Sequence, residues 1–253
     1  WIPHAISGFI LAYFDRIIIN QLNGPKDAGL YSFAYNIGMI MNIVVIGFTK
    51  SWNPIFYKKM NNKKYNEINS LAINNSKLIF AFAIMLILFS KEIVMIMARN
   101  LYYEALIIVP VIVISYAIVF LYTIFVGFSF YSKRIYVVDS NTFIAGILNI
   151  VLNYMFIPQY GYKVAAITTL FSYIILFLLH YATVRYILKL NVIKVKALLK
   201  DGLWVLVYVL TFYIVLLKID NIIIGVLIKL LLLSPYLFYL FKRRENDIKR
   251  SNV

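Results

Sequence analysis

Residues 106–129 read LIIVPVIVISYAIVFLYTIFVGFS, a run without one charged side chain. A helix needs about 20 apolar residues to cross the roughly 30 Å hydrocarbon core of a bilayer, so this stretch predicts a membrane span. Comparable stretches recur on both sides of it, at roughly 4–23, 29–50 and 76–97 before and 136–157, 162–187, 202–217 and 221–241 after, the one over 202–217 being the shortest. The composition agrees. Of the 253 residues, 63% are hydrophobic and 14% charged, against about half and about a quarter in a soluble domain, so the excess apolar surface needs lipid to cover it. The predicted fold class is all-α, a polytopic membrane helix bundle of about eight transmembrane helices.

The formal charge of +15 would point to nucleic acid in a soluble chain. Here it has first to be read against the spans, because Lys and Arg gather in short cytoplasmic loops. With residue 1 inside, 18 of the 25 Lys and Arg residues fall on the cytoplasmic side: those from Lys50 to Lys77, Lys133 and Arg134, those from Arg185 to Lys200, and the tail from Lys242. Lys26, Lys91, Arg99, Lys163 and Lys218 fall outside, and Arg16 and Lys229 lie within spans. The alternation supports the count, places both ends in the cytoplasm and leaves no surplus that calls for nucleic acid. The chain opens at Trp1 without the basic start and cleavage site of a signal peptide, and it reads as a piece of a longer protein. The absence of cysteine removes disulfides, thiolate metal sites and cysteine catalysis. The longest connection, residues 51–75, contains Trp52, Pro54, Tyr57 and KKMNNKKYNEIN. It suits either a helix lying on an anionic inner leaflet or a solvated basic loop.

An unpartnered polar group in hydrocarbon is expensive, so polar residues inside spans mark faces turned toward protein or a cavity. On the first span Ala5, Gly8, Ala12 and Asp15 step by three or four residues along one face. Asp15 there either binds within the bundle or faces a cavity, and Arg16, about 100° further round the helix, is not bound to pair with it. The second span aligns Tyr31, Tyr35, Gly38 and Asn42, and the fifth aligns Asp139, Thr142, Gly146, Asn149 and Asn153. The latter stripe lines an aqueous cleft or forms a polar seam between helices. Ala165, Ala166, Thr169 and Ser172 make a small-residue packing face on the sixth. Lys229, mid-span in GVLIKLLLLSP with Gly225 one turn before it, faces either a ligand or a neighbouring helix.

The predicted outer loops are short: NGPKDAG, ARNLYYE, IPQYGYK and KIDN. They offer no loop-borne constellation for an enzyme acting on lipid-linked sugars. His4 and His180 lack metal-ligand spacing, and no phosphate-binding glycine loop is present. The reading therefore carries no catalytic residue, no cofactor and no metal.

Several segments together resemble bacterial polysaccharide flippases. DRIIINQLNGPKDAGLYSFAY (15–35) is similar to their seventh helix and following turn, and FTKSWNPIFYK (48–58) to the end of the eighth. SKEIVMIMARNLYYEALIIVP (90–110) resembles the ninth-to-tenth connection, and LNIVLNYMFIPQYGYKVAAITT (148–169) the eleventh-to-twelfth. Val164, ahead of Ala165 and Ala166, stands where the family usually has glycine. The resemblance implies a C-terminal half of a member of the multidrug/oligosaccharidyl-lipid/polysaccharide exporter superfamily. Residues 1–190 would be the second six-helix lobe, and 191–253 two additional transmembrane helices with a basic cytoplasmic tail. The implied activity is alternating-access flipping of undecaprenyl-diphosphate-linked oligosaccharide across the bacterial plasma membrane, for O-antigen, capsule or other envelope glycan. The implied partners are that substrate, membrane lipids, the missing N-terminal half and other polysaccharide-assembly proteins. In this frame Arg16 and Lys229 attract the diphosphate, Asn149 and Asn153 face the sugar, and Asp15 and Asp139 couple an ion or gate. The rivals are a drug or cation antiporter of the same superfamily and a membrane enzyme acting on lipid-linked sugars.

Overall fold

The chain's computed structural model describes the backbone of residues 2–98, 100–219 and 221–251, with side chains from 13 to 239 apart from those of 99, 216, 220, 222 and 237. In chain order the helices are α1 (Ile2–Asn23), α2 (Pro25–Asn61), α3 (Tyr65–Leu88), α4 (Ser90–Met97), α5 (Val109–Tyr131), α6 (Ile135–Tyr160), α7 (Val164–Ala182), α8 (Val195–Leu199), α9 (Gly202–Ile214) and α10 (Ile222–Ser251). A 3₁₀ segment, Asn100–Ile108, leads into α5, and a π turn, Thr183–Ile187, extends α7. No strand occurs among the described residues. Six helical segments among those residues are long and apolar enough to cross a membrane: Pro25–Asn61, Tyr65–Leu88, Asn100–Tyr131, Ile135–Tyr160, Val164–Ile187 and Val195–Ile214. The protein is an all-α, multi-pass membrane helix bundle.

The helix boundaries differ from the spans at both kinds of turn. The connection expected over residues 51–75 is only residues 62–64, because α2 runs on to Asn61 and α3 begins at Tyr65. At about 1.5 Å per residue α2 is longer than the hydrocarbon core is thick, and its basic end is a continuation of the spanning helix, neither a separate helix nor a loop. The turn closes as a paired C-terminal cap: Lys64 N–H donates to Lys59 O at 2.9 Å and Lys63 N–H to Met60 O at 3.0 Å. Lys63 takes the left-handed conformation this cap needs, with φ 55°. The α5–α6 turn repeats it. Arg134 N–H donates to Ser129 O at 2.9 Å and Lys133 N–H to Phe130 O at 3.0 Å, with Lys133 at φ 56°. The two turns lie side by side, since Tyr131 O–H donates to Asn61 Oδ1 at 3.0 Å and the Tyr57 and Tyr131 rings stack at 6.4 Å. On the opposite side, Gly24 (φ 91°) and Gly161 (φ 72°) make tight turns whose backbone suits glycine.

Helix α5 packs on α2 and α7, and α1 and α7 both pack on α6. Gly38 fits the α2–α5 approach because a Cβ there would lie 2.3 Å from Ile112 Cγ2. The predicted third span is broken at Phe89 into α3 and α4. That break turns Lys91 and Glu92 toward the last two helices. Lys91 Nζ donates to Ile219 O at 2.6 Å, and Glu92 binds α10 through Lys229. Helix α9 lies along α3, so residues after 190 attach to the bundle mainly through α3 and α4.

Candidate functional site

Asp15 sits on α1 with no exposed surface. A buried carboxylate costs several kcal/mol unless donors surround it. Three do. Tyr31 O–H from α2 donates to Oδ2 at 2.7 Å, Thr169 O–H from α7 donates to Oδ2 at 2.6 Å, and Asn153 Nδ2 from α6 donates to Oδ1 at 2.6 Å. These donors are themselves held. Asn153 Nδ2 also reaches Asn149 Oδ1 at 3.2 Å, Asn149 Nδ2 donates to Thr169 Oγ1 at 3.2 Å, and Thr168 O–H donates to Asn153 Oδ1. The stripes read separately on four helices thus meet at one point. Periodicity put each residue on a polar or small-residue face; only packing made the faces one site.

Asn149 and Asn153 were expected to face a sugar. Both are fully buried, and their amides bond to Asp15, to each other and to threonines. In this arrangement they act on the carboxylate. Ala5, Gly8 and Ala12, predicted to share the Asp15 face, and His4 lie outside the residues with described side chains.

Arg16 follows Asp15 without bonding to it. Its guanidinium lies 4.6 Å from the Tyr35 ring centroid and 5.1 Å from that of Tyr13, within cation–π range. Its Nε and Nη2 are buried without a hydrogen-bond partner among the described residues.

Around it lies a group of tyrosines that the sequence reading singled out only in part. Tyr35 contacts Tyr31 at 5.7 Å and Tyr116 at 5.9 Å, while Tyr122 stacks on Tyr173 at 6.4 Å and on His180 at 5.7 Å. Tyr116, Tyr122 and Tyr173 were hidden in apolar runs. Their signal was chemical: a phenol hydroxyl in hydrocarbon needs a partner, so a tyrosine mid-span marks a protein-facing or polar side.

The remaining residues fall elsewhere. Asp139 is half-buried in the first turns of α6, well along the helix from Asn153. Near it Asn141 Nδ2 donates to Thr183 Oγ1 at 3.1 Å and lies 3.3 Å from His180 Nδ1. Lys229 is 1% exposed, and its Nζ donates to both Glu92 oxygens at 2.5 and 2.6 Å. Of the two readings of Lys229, a ligand or a neighbouring helix, the contact seen is with a neighbouring helix, through Glu92 on α4. No group of three or more His, Cys, Asp or Glu able to hold a metal occurs among the described residues. The Asp15 set, one carboxylate met by two hydroxyls and an amide nitrogen, has no sulfur or imidazole ligand for a soft metal, and its carboxylate and hydroxyl oxygens suit a proton or a hard cation.

The chain matches no family model, no curated protein and no solved structure.

Proposed function

We propose that this chain is the ion-coupled lobe of a membrane exporter that flips an undecaprenyl-diphosphate-linked oligosaccharide across a bacterial plasma membrane. In this reading α1 and α10 complete eight spans, both ends are cytoplasmic, and no bond is made or broken. The observation that carries it is the pairing of opposites at positions 15 and 16. Asp15 is enclosed by Tyr31, Asn153 and Thr169, while Nε and Nη2 of the adjacent Arg16 have no hydrogen-bond partner among the described residues.

The two roles follow from the chemistry. Asp15, held by neutral donors from α2, α6 and α7, exchanges a proton or small cation, and a change in its charge alters the bonds that join those helices to α1. Asn149 and Asn153 orient the carboxylate in that step. Arg16 offers directed donors to the diphosphate, whose oxygens match a guanidinium fork. The same cation disfavours cationic drugs, which sets this reading above an antiporter for them. Asp139 and Lys229 take no direct part in cargo binding.

The test is complementation of a flippase-null strain with the gene that encodes the chain. Arg16→Ala and Asp15→Ala are each expected to abolish surface glycan at wild-type protein levels. Normal export by both variants would remove the site from the mechanism.

A further inference from the structure

Between the cytoplasmic halves of α2 and α3 lies a groove of about 410 Å³. Its wall changes character along its length. Val44, Gly47 and Phe48 line the end nearer the membrane centre, and Ser51, Trp52 and Asn75, followed by Ile55 and Leu71, line the mixed part toward the turn. One turn beyond Ile55, the same face of α2 continues to Lys58 and Lys59. Lys59 and Lys64 both bind Glu67, so Glu67 ties the base of the groove together. Lys58, Lys59, Lys63 and Lys64 therefore stand against a single carboxylate.

We propose that this groove binds one anionic phospholipid of the inner leaflet, with an acyl chain along Val44, Gly47 and Phe48 and its phosphate at the Lys58–Lys64 cluster. Three observations converge on that occupant. The first is order: apolar, then mixed, then cationic is the sequence of chemistry a phospholipid presents from chain to glycerol ester to phosphate. The second is level. From residue 44 to residue 50, where the predicted span ends, α2 rises about 9 Å, and residues 51–55 carry the groove on past that point, so it crosses the boundary where a phospholipid passes from chain to ester. The third is charge, since the cluster keeps an excess of lysines and lies where anionic lipids concentrate positive residues. Gly47 leaves room, with nothing within 4 Å of the position its Cβ would occupy. Trp52, in the middle of the groove, is a side chain suited to the interfacial zone. The inference concerns a lipid that stays bound, whatever the protein transports.

Trp52 also makes the proposal measurable. The chain has three tryptophans, so Trp1→Phe with Trp204→Phe leaves Trp52 as sole reporter. The full chain is reconstituted into phosphatidylcholine vesicles carrying equal mole fractions of either acyl-brominated phosphatidylglycerol or acyl-brominated phosphatidylcholine. Quenching of Trp52 is expected to be stronger with the brominated anionic lipid. Lys58→Gln with Lys63→Gly should lower that preference, by about fivefold in relative affinity for each lysine removed. Lys63→Gly places glycine at a left-handed position that favours it, so a lost preference is not a lost fold. Gly47→Leu fills the groove without touching the charge and should reduce quenching by both lipids. Equal quenching by the two lipids, or a preference that survives the lysine changes, overturns the proposal. Quenching unaffected by Gly47→Leu overturns the placement of the chain.

Discussion

Two buried charges in this protein are satisfied in opposite ways. Lys229 on α10 meets a full countercharge, both oxygens of Glu92, at 2.5 and 2.6 Å. Asp15 on α1 meets three neutral donors, and the nearest cation in sequence, Arg16, is turned to tyrosine rings instead. In the proposed reading the difference separates a fastening from a site able to change state. A bidentate ion pair neutralises itself and gains nothing by exchanging partners, so it serves to fix α10 on α4. A carboxylate held by hydroxyls and amides keeps its charge available, and those groups can turn either a donor or an acceptor toward it.

The comparison breaks most visibly at the ion pair. Glu92→Gln leaves an ammonium in a site that is 1% exposed, and removal of one partner of a buried pair costs about 3–5 kcal/mol. Unfolding in mixed detergent should show that loss, and Glu92→Leu combined with Lys229→Met should recover most of it, because an apolar replacement leaves no charge stranded. A smaller effect is expected where α2 meets α5. Gly38→Ala places a methyl 2.3 Å from Ile112 Cγ2, and the β-branched side chain has little freedom to retreat, so overpacking of about 1–3 kcal/mol follows in the same assay. Smallest in stability is Tyr31→Phe. It removes one of the three Asp15 donors, and single interhelical hydrogen bonds in bilayers are worth about 0.6–1.7 kcal/mol. Its larger effect is expected on transport, as a changed dependence of glycan export on external pH or cation concentration. A Tyr31→Phe variant as unstable as Glu92→Gln would erase the distinction between fastening and site.

The two regions also differ in how far they were legible. Asp15, Tyr31, Asn149 and Asn153 were visible as polar members of helix faces, because each is chemically out of place in an apolar run, and Thr169 was visible as part of a small-residue packing face. Their convergence was not visible, since Thr169 lies 154 residues from Asp15 and helix periodicity says which face a residue occupies but not what that face meets. Lys229 was visible for the same reason as Asp15. Its partner, 137 residues away, was not, because Glu92 stands near the end of a predicted span where a carboxylate draws no notice. The basic connection was misplaced on different grounds. Hydropathy reports where the apolar run ends, and α2 continues as helix past that level until the left-handed turn at Lys63 stops it, with α3 starting directly after.

What the sequence determined by itself is everything that depends on the bilayer as a slab: the apolar runs, the helical class, the alternation of lysines and the short list of residues out of place in hydrocarbon. Each follows from a residue and its near neighbours, because transfer into a slab depends only on depth. The tertiary structure decided which of those residues share a site. It joined three polar faces and one small-residue face around Asp15, gave Lys229 to Glu92 and left two Arg16 nitrogens unpartnered among the described residues. Such pairings depend on how helices distant in sequence turn and pack about one another, which no local pattern records.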